Sequence, residues 1–144
     1  MMRRRMSAAI LCMVLCVTMM GAVTCYAAGS WSSEVTLTVP GLNASVNTKE
    51  DATVATYIKK ATDGTTCSFY TAAVTGNLYP DARIINSNLD SRSNWARNLS
   101  TGTYKYATTT AKNGYRCYAE VSSDLAQVNT QSIRFKFSPD ELTS

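Results

Sequence analysis

From Glu34 onward the chain repeatedly sets apolar side chains at every second position, the period of a β-strand whose successive side chains face opposite sides of a sheet. In "EVTLTVPG" Val35, Leu37 and Val39 share one face, Thr36 and Thr38 share the other, and Pro40-Gly41 ends the run. "ATVATYIKK" alternates Val54, Thr56 and Ile58 against Thr53, Ala55 and Tyr57. The Asp63-Gly64 turn leads on to "TTCSFYTAAV", so these two segments predict a hairpin. A short strand follows at "ARIIN". "TYKYATTT" and "YRCYAEVS", joined by "KNG", predict a second hairpin, because Asn-Gly is the strongest short hairpin signal. The last strand is "QSIRFKFS", with Ile133, Phe135 and Phe137 inward, Arg134 and Lys136 outward, and Pro139 as its stop.

About seven short strands separated by turn residues predict an all-β protein, an antiparallel β-sandwich covering two apolar faces. The polar run from Ser87 to Ser100 interrupts the pattern. It is too long for an ordinary hairpin connection, and it holds Trp95 between Arg92 and Arg97.

The first residues follow a different rule. Arg3, Arg4 and Arg5 precede an uncharged apolar run from Met6 to Val23, and Cys25 and Ala27 supply the small side chains of a cleavage site. Residues 1–27 are therefore expected to be a cleaved signal peptide and residues 28–144 one secreted, extracellular domain. An uncleaved membrane anchor is the alternative, since the run approaches the roughly 18 residues of a spanning helix. Cleavage changes the charge. Three of the 14 basic residues leave and all 10 acidic ones stay, so the mature chain carries +1. A balance so near neutral, with only Lys59-Lys60 as adjacent bases, argues against nucleic acid as a partner.

Cleavage also leaves two of the five cysteines, Cys67 and Cys117. An even pair in an exported chain predicts one disulfide. A nucleophilic role would need a base beside the thiol, and the chain contains no histidine. On their strands Cys67 shares a face with Phe69, and Cys117 with Ala119 and Val121, so both sulfurs point into one core.

Tyr115-Arg116-Cys117 resembles the immunoglobulin fold, where a tyrosine stands two positions before the second cysteine of an inter-sheet disulfide. That resemblance implies that the bond between Cys67 and Cys117 joins two sheets. The chain departs from the fold where its buried tryptophan would stand, at Leu78, Tyr79 and Pro80. Taken whole, the chain resembles the small secreted proteins of Gram-positive bacteria.

Catalysis is not expected. The carboxylates Glu50-Asp51, Asp81, Asp90 and Asp140-Glu141 lie beside turn residues, and neither a nucleophile elbow nor a phosphate-cradling loop occurs. Asn86, Asn88 and Asp90 alternate as in a calcium loop, but Ser91 replaces its glycine and Arg97 its bidentate glutamate. No metal or other cofactor is therefore expected. Trp95, with Tyr79, Tyr104, Tyr106 and Tyr118, is the material of an aromatic binding surface; the competing reading makes the indole a plug beneath its loop and the tyrosines cross-strand pairs. The function expected is a secreted, non-catalytic binding or interaction module for a protein or glycan, with no membrane contact after cleavage. Trp95, Arg92 and Arg97 are its candidate binding residues. A secreted antimicrobial or toxin-like effector is the second reading.

Overall fold

The computed structural model describes residues 28–143, so the expected signal peptide lies outside the described residues. The protein is all-β, with two antiparallel sheets of four strands each. The strands are β1 (Val35–Val39), β2 (Ser45–Asn47), β3 (Ile58–Lys59), β4 (Thr66–Val74), β5 (Asp81–Ile85), β6 (Thr103–Thr108), β7 (Arg116–Ser122) and β8 (Gln131–Ser138). Eight strands thus stand where about seven were expected, β2 being the unforeseen one.

The first sheet runs β1-β8-β4-β6. In the second, β7 is central, with β5 along one edge and the short β2 and β3 sharing the other. The alternation foreseen for β1 and β8 is realised: Leu37, Val39, Ile133, Phe135 and Phe137 are all essentially fully buried. They join Cys67 and Phe69 of β4, Ile84 of β5, and Cys117, Ala119 and Val121 of β7 in one cluster fed by both sheets. Each large apolar side chain buried there contributes about 1.5–3 kcal/mol.

Neither expected hairpin forms. Of "ATVATYIKK" only Ile58–Lys59 is strand, the rest being bend or irregular, and it pairs with Cys117 and Arg116 of β7 rather than with β4. The Asn113-Gly114 turn likewise carries the chain from β6 in one sheet to β7 in the other. A tight type I′ hairpin turn needs positive φ at both central residues, and here Gly114 has it (φ 84°) while Asn113 does not. Gly114 N donates instead to Lys60 O at 2.8 Å, tying the turn to the end of β3.

The run from Ser87 to Ser100 is an irregular strap across one side of the molecule. Ala82 and Ala96 exchange both backbone hydrogen bonds (3.0 and 2.7 Å), Arg92 N donates to Ile84 O at 2.8 Å, and Asn94 N reaches Thr108 O at 2.9 Å. The strap is thereby bonded to β5 of the second sheet and β6 of the first. Ala96 and Leu99 fill the core beneath it.

Cys67 and Cys117 are both fully buried, and both are free thiols in the structure, so the expected disulfide is not closed there. Cys67 Sγ donates to Ala107 O at 3.2 Å. Burial pushes the Cys67 thiol up to about 11 and the Cys117 thiol up to about 12.

The acidic pair Asp140-Glu141 follows Pro139, a position where carboxylates commonly form solvated turns, yet Asp140 is 1 % exposed and bonded to Lys60, which is equally buried. Lys60 Nζ donates to Asp140 Oδ1 at 3.2 Å and to Pro139 O at 2.6 Å. The same carboxylate accepts from Ala61 N (2.9 Å), Thr62 N (3.0 Å) and Thr62 Oγ1 (2.6 Å). Burial by itself would raise the Asp140 carboxyl, but the Thr62 hydroxyl, the Ala61 amide and the Lys60 ammonium outweigh it and hold it below its ordinary value of 3.8. A depressed folded value contributes stability that is present above the unfolded value and lost as pH falls through the folded one. Urea unfolding followed from about pH 6 to about pH 2 should therefore show stability falling below pH 4, and Asp140→Asn should flatten that acid limb. An unchanged limb in the variant would remove Asp140 as its source.

Candidate functional site

Charged and aromatic side chains collect on the outer face of the second sheet. Cys117, Ala119 and Val121 of β7 turn into the core, so the two-residue period sends Arg116, Tyr118 and Glu120 to the opposite face. Antiparallel pairing sets Arg83 of β5 against Glu120, and Ile85 against Tyr118. Arg83 Nε donates to the Glu120 carboxylate, and its guanidinium carbon lies 4.4 Å from the centroid of the Trp95 ring. Trp95 is half-buried, one side covered by that cation. A guanidinium on an indole contributes about 0.5–2 kcal/mol and fixes the orientation of the ring.

Arg97 and Arg92 occupy two further stations along β5. Arg97 pairs with Asp81, whose other oxygen accepts Asn98 N at 2.8 Å. Arg92 is held by its backbone, its carbonyl accepting Thr110 N (2.7 Å) and Thr109 Oγ1 (2.8 Å). Its guanidinium is less well met: Nη2 lies 3.5 Å from the Asp90 carboxylate, and Nε is buried with no hydrogen-bond partner among the described residues. The structure therefore brings Arg83 onto the indole and sends Arg92 and Arg97 elsewhere.

Past Ile85, an open cleft of about 370 Å³ is lined by Asn86, Ser87, Arg92, Tyr115 and Arg116. The guanidinium of Arg116 rests on the Tyr57 ring at 4.9 Å, and Tyr57 in turn packs against Tyr118 at 6.0 Å. A second cleft, of about 290 Å³, shares Arg92 and is otherwise lined by Ser91, Ser93, Asn94, Thr108 and Thr110. No carboxylate lines either cleft.

No family model, curated protein or solved structure matches the chain.

Of the calcium-like triad Asn86, Asn88 and Asp90, two members turn side-chain oxygens onto the loop's own donors. Asn86 Oδ1 accepts the amides of Asn88 and Asp90, both at 2.9 Å, and Asp90 Oδ2 accepts Asn86 Nδ2 at 3.0 Å. Among the described residues no three His, Cys, Asp or Glu side chains gather as a metal site would require. The tyrosines are also dispersed. Tyr104 lies on the outer face of the first sheet, packed 4.7 Å from its cross-strand partner Tyr70 and 6.0 Å from Trp31. Tyr106 is exposed on that same face, and Tyr79 is half exposed in the turn before β5.

Arg83, Arg116 and Tyr115 are not among the binding residues expected from the sequence, where Tyr115 and Arg116 enter only through the immunoglobulin-like motif. The signal for two of them was present: Arg83 stands between the buried Ala82 and Ile84, and Arg116 directly precedes the buried Cys117, so the two-residue period turns both outward. What brings Arg92 to Arg116 is the path of the strap, which no local pattern encodes.

Proposed function

We propose that this protein is a secreted, non-catalytic binding module, a β-sandwich whose two sheets are joined by a Cys67–Cys117 disulfide and whose second sheet presents the binding face. Signal-like residues 1–27 support export, and an oxidising compartment favours the disulfide. The placement of Cys67 on β4 of one sheet and Cys117 on β7 of the other supports a bond between sheets.

The observation that carries the reading is the rigid polar and aromatic surface made by Trp95, Arg83 and Glu120 beside two clefts. Trp95 is positioned before any partner arrives: the strap anchors its backbone neighbour Ala96 to Ala82, and Arg83 covers one ring face. Preorganised aromatic and arginine side chains lose little entropy on binding, which is why they anchor interfaces.

Trp95→Ala is expected to weaken partner binding by at least about 2 kcal/mol while leaving the fold cooperative, because the half-buried indole contributes more to the surface than to the core. A glycan and surface-protein array screened with wild type and variant, alongside melting curves, checks it. A variant that melts far below wild type while the wild type captures nothing makes the indole a structural plug and removes the reading.

A further inference from the structure

Resting on that reading, the geometry points to an anionic oligosaccharide as the ligand, its carboxylate held between Arg92 and Arg116 and its hydroxyls along the two clefts that share Arg92. Three observations converge. The first is unspent charge. Of the arginines in the described residues, Arg83, Arg97 and Arg134 each hold a carboxylate close by, whereas Arg116 has none within 4 Å, and Arg92 has only the exposed Asp90 at 3.5 Å. Asp90 is itself shared with Asn86.

The second is a buried donor without an acceptor. Nearly all buried polar groups in folded proteins are bonded, and Arg92 Nε, like Gln131 Nε2, is not, so the chain itself leaves the Arg92 guanidinium incompletely satisfied. A planar guanidinium suits a carboxylate, which it can grip through two parallel hydrogen bonds. Arg116 is held in place by the Tyr57 ring instead of by an acid, so its charge stays available.

The third is the lining. Apart from the two guanidinium groups, the clefts present hydroxyls, amides and one phenol, from Asn86, Ser87, Tyr115, Ser93, Asn94 and Thr108 among others. No Leu, Ile, Val, Met or Phe lines them, so a peptide's apolar side chains or an acyl chain would find no counterpart there. A sugar ring finds hydroxyl and amide partners all round, and its C–H face can lie on the electron-rich face of the half-exposed Tyr115. Two adjoining clefts of this size suit neighbouring residues of a chain rather than one isolated sugar. Lys49, whose Nζ donates to Ser87 O at 2.7 Å, adds positive charge close by.

The test is titration calorimetry of the intact mature domain with a galacturonic acid tetramer, with a neutral maltose-type tetramer and a short poly-glutamate peptide as competing probes. The acidic sugar should bind at least tenfold more tightly than either, and its affinity should fall as salt rises. Arg92→Gln and Arg116→Gln should each weaken it at least tenfold with melting temperatures unchanged, and Arg116→Lys should fall between because it keeps the charge but loses the fork. Equal binding of the neutral tetramer, equal binding of poly-glutamate, or arginine variants that bind like wild type would each overturn the inference. If the array finds another ligand whose binding depends on Trp95 but not on Arg92, the inference fails while the binding module stands.

Discussion

Asp140→Ala should destabilise the protein by about 3–5 kcal/mol, lowering its melting temperature by roughly 10–20 °C. The magnitude comes from what is stranded. Removing the carboxylate leaves the Lys60 ammonium with only the Pro139 carbonyl as partner, in a site with no measurable exposure to water, and takes the acceptor from Ala61 N, Thr62 N and Thr62 Oγ1. Lys60→Met should cost less. It removes one partner of the carboxylate but keeps three donors on it, and it replaces the buried charge with a side chain of similar length. Urea denaturation of both variants measures the difference. If Lys60→Met were the more damaging, the carboxylate would not be the organising member of the pair.

Closing the Cys67–Cys117 bond should add about 4 kcal/mol, the chain-entropy value for a loop of about 50 residues. The mature exported protein should weigh two protons less than its reduced form, begin at Ala28, and lose that stability in reductant. A count of two free thiols would overturn the bond. Its timing follows from the environment of the sulfurs. The reactive species is the thiolate, and burial holds the two thiols up at about 11 and about 12. At neutral pH the folded, reduced protein should therefore oxidise slowly, and the bond should form readily while the core is still open.

Much of the sheet structure was legible because it is written in the period of single strands. The inward faces of β1, β4, β7 and β8 follow directly from alternate apolar positions, and all four supply the core. What a strand pairs with is a different matter. The Asp63-Gly64 and Asn113-Gly114 turns report that the chain bends, but the sheet joined by the next strand is settled by packing between residues far apart in sequence. Lys60 shows the same limit at a single position. Beside Lys59 in a polar stretch it reads as a surface base, and only Asp140, eighty residues away, makes its burial tolerable. The candidate binding residues were partly legible for the same reason. Trp95 stood out by its surroundings, whereas the cation covering it comes from Arg83 on a different segment.

The position of β8 has a consequence for how the protein is made. It lies between β1 and β4 in the first sheet, so the earliest strand of that sheet has no hydrogen-bonded neighbour until residues 131–138 have been synthesised. Pairings of such long sequence separation form late and slowly. A nascent chain of this topology cannot settle into its native state partway through translation.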